Sequence, residues 1–358
     1  MMQFTRRGLL KTGAAAATLP LLGSRAFAEE PLKIGFVYLG PIGDFGWTYA
    51  HEQGRQALVQ EFGDKIKTTY VENVAEGPDS ERVIKNLADD GNQLIFTTSF
   101  GYMNPTLKVA KRYPKVMFEH ATGYQRAKNV ATYNARFYEG RAVCGTIAGT
   151  MSKTGVAGYV ASFPIPEVVM GINAFTLAAR RVNPDFKTNV VWVSSWYDPA
   201  KEADAAKALF DQGADVIAQH TDSPAALQAA EQRGMMAFGQ AWSMEKVAPN
   251  AQLTAIENIW GVYYVSRVKQ LMAGQWESTD TWWGFKEGIL QMSPFNGKVT
   301  EQATAAANAT QAGIVDGSAP AFAGPITDRD GKERAPAGQA LDDEALLKMD
   351  WFVEGVQG

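Results

Sequence analysis

Beyond residue 28 the hydrophobic positions alternate between two periods. Short runs rich in β-branched and aromatic residues are followed, across turns rich in Gly, Pro, Ser and Asp, by longer segments whose apolar residues recur every three to four positions. The first run, Leu32–Tyr38, predicts a strand; a Gly/Pro loop spans Gly40 to Gly46, and a helix follows from Trp47 to Phe62. Strands over Thr68–Asn73, Leu94–Thr98, Val116–His120 and Val130–Asn134 interleave with helices over Ser80–Asp90 and Pro105–Arg112. A second series opens with the helix Glu139–Met151. It carries strands at Val156–Ala161, Asn189–Val193, Val216–Gln219 and Met236–Gly239 among helices at Glu167–Arg181, Ala200–Gln212 and Ala225–Arg233. Leu253–Asn258 reads as a further strand, Gly261–Met272 as a helix stopped by Gly274, Thr281–Ile289 as strand-like and Glu301–Asp316 as an Ala-rich helix. Pro325 to Gly338 reads as a hairpin or loop, and Asp342–Met349 as a last short helix. Such alternation from Leu32 onward is the signature of parallel sheets covered by helices. Because 358 residues exceed what one core usually supports, the expectation is an α/β protein of two doubly wound lobes.

Residues 1–28 stand outside this pattern. Thr5-Arg6-Arg7-Gly8-Leu9-Leu10-Lys11 forms a twin-arginine pattern, Gly13 to Leu22 an apolar stretch of signal-peptide length, and Ala26-Phe27-Ala28 an A-x-A cleavage site. No acidic residue precedes Glu29. Residues 1–28 are therefore expected to be a twin-arginine signal peptide, and the mature protein to be free in the periplasm. Losing Arg6, Arg7, Lys11 and Arg25 would reduce 34 basic residues to 30 against 38 acidic ones, a net charge of −8. An acidic surface without Lys/Arg blocks offers no electrostatic footprint for nucleic acid. Cys144 is the single cysteine. It excludes an intramolecular disulfide and a Cys-based zinc site, lies too far from the leader to be a lipid-bearing first residue, and is expected to be a buried, inert thiol on a helix. No later apolar run reaches the roughly 20 residues of a membrane span.

Motifs that would signal catalysis are missing. There is no P-loop, no G-x-G-x-x-G, no G-x-S-x-G, no H-E-x-x-H and no cysteine pair, so neither a metal nor a cofactor is expected. His51, His120 and His220 are scattered, which favours structural or solvent-facing roles. What stands out is aromatic residues placed just after strands. In parallel α/β sheets ligands lie beyond the carboxyl ends of the strands. Those positions hold Asp44, Phe45 and Trp47 after the first strand, Ser99, Phe100 and Tyr102 after the third, and Phe163 in the second series. They continue with Trp196, Tyr197 and Asp198, then Gln240 and Trp242, and finally Trp260. Such a set suits a flat heterocycle, with rings sandwiching its faces and a carboxylate accepting from its edge N–H groups. A single Trp is as often core packing as ligand contact, but four of the nine stand at strand ends, whereas Trp276, Trp282 and Trp283 do not and are expected in the core or hinge. For Asp44 a loop or helix-cap role is the plain alternative.

Gly43-Asp44-Phe45-Gly46-Trp47-Thr48, Ser99-Phe100-Gly101-Tyr102, Ala110 to Pro114, Asn134 to Gly149, Gly155 to Pro184, Trp196 to Lys201 and Gly213 to Ile217 follow one another in an order that makes the chain resemble a known family. It resembles the basic membrane protein family of ABC-importer substrate-binding proteins, which includes purine nucleoside receptors. The resemblance implies a type I periplasmic-binding-protein fold whose lobes are joined by three crossover segments. Lobe 1 is then expected over residues 29–135 plus 256–278, and lobe 2 over 136–255 plus 279–358. It also implies a nucleoside-like ligand in the interlobe cleft, with Asp44 in the place of the family's base-binding aspartate, Trp47 in that of a stacking aromatic and Trp196 in that of the aromatic on the opposite lobe. A membrane ABC permease and its ATPase are the implied partners, and a monomer is expected. Thr48 stands where the family usually has Asn.

Two departures narrow the ligand. Nucleoside-binding relatives place an Asp shortly after the strand matching Met236–Gly239 and a Lys after the one matching Leu253–Glu257, where they hold sugar hydroxyls. Here the first region reads Gly239-Gln240-Ala241-Trp242-Ser243 and the second Ala255-Ile256-Glu257-Asn258. A ribose site that loses its charged partners and gains an indole points to a free purine base, with adenine favoured. The expected ligand contacts are Asp44, Phe45, Trp47, Ser99, Phe100, Tyr102, Phe163, Trp196, Asp198, Gln240, Trp242 and Asn258. A receptor for a purine nucleoside or another aromatic nitrogen heterocycle, a receptor serving a signalling partner and, from a different class, a periplasmic nucleoside hydrolase are the alternatives left open.

Overall fold

Runs buried at nearly every position occupy the middle of two mostly parallel sheets, and more open runs lie at their edges. The computed structural model describes residues 30–358, so the expected signal peptide lies outside the described residues. The first half reads β1 (Leu32–Val37), α1 (Gly46–Phe62), β2 (Ile66–Val71), α2 (Pro78–Asp89), β3 (Leu94–Thr97), α3 (Met103–Ala110), β4 (Met117–Ala121) and β5 (Val130–Ala135). The second reads α4 (Phe137–Met151), β6 (Val156–Ala161), α5 (Pro166–Val182), β7 (Lys187–Trp192), α6 (Pro199–Asp211), β8 (Val216–His220), α7 (Ala225–Arg233), β9 (Met236–Gly239) and β10 (Gln252–Asn258). Then come α8 (Trp260–Met272), β11 (Asp280–Trp283), β12 (Leu290–Met292), α9 (Glu301–Asp316), a hairpin of β13 (Ile326–Thr327) and β14 (Glu333–Ala335), α10 (Asp343–Leu347) and β15 (Val356–Gln357).

The first sheet has the order β2-β1-β3-β4-β5-β11 and the second β15-β7-β6-β8-β9-β10-β12. Every pairing between neighbours is parallel except β10 with β12. In each sheet the winding reverses once, between β1 and β3 in the first and between β6 and β8 in the second. Side chains that follow these four strands are the ones the topology brings to a switch point. β3 and β8 are buried throughout, whereas Ile66–Val71, the edge strand β2, is largely open. The fold is thus an α/β type I periplasmic-binding-protein architecture of two doubly wound lobes.

Three segments cross between the lobes: Arg136 after β5, Ile259 after β10, and residues 284–289 after β11. They are stitched together by backbone. The Arg136 N–H donates to the Trp283 carbonyl at 2.7 Å, and the Ile259 N–H to that of Ile289 at 2.8 Å. The stretch Thr281–Ile289, one strand by sequence pattern, is divided by the third crossing. Asp280–Trp283 pairs with β5 in the first sheet, although residues from 279 onward were expected in lobe 2. Local periodicity does not distinguish a strand from an extended crossing, because both favour the same β-forming residues.

Helices α4 and α5 pack closely because Gly145 faces the Phe175 carbonyl where a Cβ would collide with it. Cys144, on α4, is fully buried, and burial pushes its thiol up to about 12, as an inert thiol requires. On the other lobe, Glu119 of β4 is fully buried and accepts from Arg267 Nε, Tyr263 Oη and Trp276 Nε1, each at 2.6 Å. This network anchors α8, which follows the second crossing, to the first sheet. A buried charge stripped of its partner is strongly destabilising. Arg267→Ala is expected to lower unfolding free energy by about 3–5 kcal/mol in denaturant titrations, a loss that surface ion pairs such as Lys348–Glu344 do not share.

Candidate functional site

The site begins where α1 begins. Gly46 takes φ +87° and turns the chain so that the helix starts facing the opposite lobe. The preceding Phe45 is extended and supplies no side-chain cap. The open N-terminal N–H groups are met instead from the other sheet: the Asp222 carboxylate, just after β8, accepts from the Trp47 N–H. A Cβ on Gly46 would strike that carboxylate. Asp222 is itself held by its N–H donating to the Trp196 carbonyl at 2.9 Å.

Trp47 is fixed from three sides. Its Nε1–H donates to the Thr98 carbonyl at 2.6 Å. Its ring stands edge-on to His51, with centroids 4.5 Å apart, and to the fully buried Trp260 at 5.4 Å. His51 in turn stacks on Trp260 at 4.7 Å, and burial holds its imidazole well below the usual pKa, so it stays neutral. Across the cleft Trp196 follows β7 and leans on Phe163, with ring centroids 5.1 Å apart. Ser194, two residues before it, adopts φ +52°, one of the few non-glycine residues in the left-handed region. Such backbone strain gathers at sites where loop direction must be held.

Between these walls lies a cavity of about 470 Å³, counting the part that opens to solvent. Leu39, Trp47, Ser99, Phe100 and Thr122 line it from the first lobe, and Glu167, Trp196, His220, Thr221, Asp222 and Gln240 from the second. All of these residues stand at or after the carboxyl end of a strand, and most flank the two switch points. The polar residues differ in their commitments. Ser99 Oγ donates to Glu76 Oε1 at 2.6 Å. Glu167 accepts from Asn134 Nδ2 at 2.8 Å, with His220 Nε2 3.6 Å from its other oxygen. Burial lowers the His220 pKa and keeps that ring neutral. Burial also pushes Asp222 up to about 8, with the Glu202 charge adding to the effect.

Of the residues singled out by sequence, Trp47, Ser99, Phe100, Trp196 and Gln240 meet at the cavity, and Phe163 packs against Trp196. Asp44, Phe45 and Trp242 do other work. Asp44 is exposed and lies 3.8 Å from Lys246; Phe45 packs against a core cluster of the second lobe; Trp242 meets Tyr49 of α1 edge-on at 5.5 Å. These are contacts between the lobes. Tyr102 is buried and donates to the Val74 carbonyl, Asp198 caps α6 by accepting from the Lys201 N–H, and Asn258 is fully buried with both amide atoms unpartnered. Leu39, Thr122, Glu167, His220, Thr221 and Asp222 line the cavity without having been expected there, because the placement of rings after strands does not say which other strand-end groups turn inward. The strand-end rule alone points to His220 through Asp222, and the scattered His220 lines the cavity. Among the described residues no three His, Cys, Asp or Glu converge as metal ligands, and no helix is long and apolar enough to cross a membrane.

A cavity closed between two lobes at both switch points, with an indole on each wall, defines a solute-binding protein. The chain belongs to the family of PnrA-like ABC transporter substrate-binding proteins, whose sequence profile matches residues 32–317. It is 57% identical to a purine-binding protein of Brucella abortus over 94% of this chain and 96% of that one. It is 38% identical to a putative ABC transporter glucose-binding protein of Haloferax volcanii, over 92% and 81%. In fold it resembles an ABC transporter solute-binding protein from Aeropyrum pernix (TM-score 0.70, 18% identity, 88% of this chain and 95% of that one). The family binds solutes for a membrane permease, and the protein is not an enzyme.

Asp222 gives lobe closure a pH dependence. Solvated, a carboxylate releases its proton near pH 4; in the closed cleft Asp222 holds it up to about 8. Closure therefore takes up a proton between those values. Its contribution is full at the acid end and is lost as pH rises through about 8. Calorimetry of solute binding near neutral pH, in buffers of different ionisation enthalpy, is expected to register uptake of up to about one proton. Asp222→Asn is expected to remove that uptake.

Proposed function

We propose that the protein binds a free purine base, adenine above others, in the periplasm and delivers it as a monomer to an ABC permease and its ATPase. The observation that carries this reading is the pairing of one indole on each wall with two carboxylates, Glu167 and Asp222, between them. Trp47 and Trp196 supply the faces for a flat ring, and Glu167 supplies an acceptor for its N–H groups. Adenine has an exocyclic amine to offer the Glu167 acceptor, whereas a 6-oxo group sets lone pairs against it. The name of the Brucella relative supports the purine class. The absence of Lys and Arg from the cavity lining supports a base over a nucleoside, since no cation reaches in to hold sugar hydroxyls. Opening and closing turn on the three crossings, with lobe 1 formed by residues 30–135 and the segment from α8 through β11.

Titration calorimetry with adenine, hypoxanthine, guanine, adenosine and glucose tests this reading. Adenine is expected to bind most tightly; adenosine binding as tightly or more tightly overturns the claim for a free base, and glucose as the best ligand overturns the purine class. Trp47→Ala and Trp196→Ala are each expected to weaken adenine binding by about 1–3 kcal/mol, the scale of base–aromatic stacking. Incubation with adenosine followed by chromatography is expected to release no free base.

A further inference from the structure

Arg141, on α4, is fully buried, yet no carboxylate pairs with it among the described residues, and its Nε and Nη1 have no partner. Its Nη2 donates to the Oε1 of Gln240, a residue of the cavity wall. The guanidinium lies 5.7 Å from the centre of the Tyr159 ring, whose hydroxyl is also unpartnered, as is Nδ1 of His220. A guanidinium only donates hydrogen bonds and stays protonated in a protein. It therefore dictates which end of the Gln240 amide faces it. With Oε1 held by Arg141, the planar amide turns its Nε2–H donors to the opposite side. Gln240 has no other side-chain hydrogen bond among the described residues. Ala241, the next residue, adopts φ +61°, which sends Trp242 away to Tyr49 and leaves Gln240 on the cavity.

We propose that Arg141 is a positioning residue that locks the Gln240 amide with its N–H donors toward the ligand, so that Gln240 selects a ring presenting an acceptor nitrogen at that edge. The proposal rests on the purine reading above and specifies how the ring is told apart from analogues lacking that nitrogen. A free glutamine presents both donor and acceptor and reads the amine and ring nitrogen of adenine together. Here the acceptor half is occupied by Arg141, and Glu167 on the same cavity wall supplies an acceptor instead. Hydrogen bonds in a low-dielectric site polarise one another, so the Arg141 charge strengthens the donor it orients.

The test is titration calorimetry of the full chain with adenine and its 1-, 3- and 7-deaza analogues, each of which replaces one ring nitrogen by C–H. Wild type is expected to bind one of the three about tenfold more weakly than adenine, the scale of an unmet buried donor. In Arg141→Met that penalty is expected to shrink to within about twofold, because a freed amide can rotate; loss of stability alone would weaken adenine and its analogues equally and leave the ratio intact. Equal binding of adenine and all three analogues to wild type, or an undiminished penalty in Arg141→Met, overturns the proposal. If Arg141→Met does not fold, Gln240→Glu decides: it keeps a partner for Arg141 but replaces the donor by an acceptor. It is expected to bind adenine at least about tenfold more weakly, and wild-type affinity overturns the proposal. A wild type that binds adenine but fails these criteria leaves the purine reading standing. One that binds no purine at all removes both.

Discussion

The closed cleft is organised around one contact, that of the Asp222 carboxyl group with the N-terminus of α1. A helix start leaves N–H groups without partners, and here the local sequence provides none of the usual caps. The partner comes from 175 residues away in sequence and from the other lobe. One interaction therefore satisfies the helix, holds the lobes together and sets the position of Trp47. Gly46, the first residue of the helix, is required twice over, for its positive φ and for the space its missing Cβ leaves to the carboxylate.

Around that contact the structure separates stiffness from recognition. Trp47 is braced by Thr98, His51 and Trp260, so its face is presented without a conformational choice to make on binding. Such preorganisation lowers the entropic cost of association. On the second lobe the aromatic wall is simpler, with Trp196 against Phe163, and the variety is polar: Glu167, His220, Asp222 and Gln240 line the same cavity. One wall is rigid and apolar, and the other carries most of the hydrogen-bonding capacity. The motion that joins them turns on three crossings already bonded to one another through backbone.

Much of the fold could be read from residue pattern because it is written locally. The apolar run Leu94–Thr97 marks a central strand, and the more polar, largely open Ile66–Val71 marks an edge. The strand-end rule then located the cavity and five of its lining residues. What pattern did not carry was the sheet to which a segment belongs. Asp280–Trp283 joins the first sheet, and Val356–Gln357 adds an edge strand beside β7, because hydrogen-bond partners far away in sequence decide both.

The sequence by itself determined that ligand-facing groups stand after parallel strands, since that follows from the chirality of strand–helix–strand units and the burial of each run. Only the tertiary structure decided which of those groups turn inward. Asp44, Phe45 and Trp242 stand at strand ends just as Trp47 and Gln240 do, yet they reach the other lobe rather than the cavity. The direction of a side chain after a strand is set by loop dihedrals such as those of Gly46 and Ala241, and by a surface that exists only once the second lobe has closed on the first.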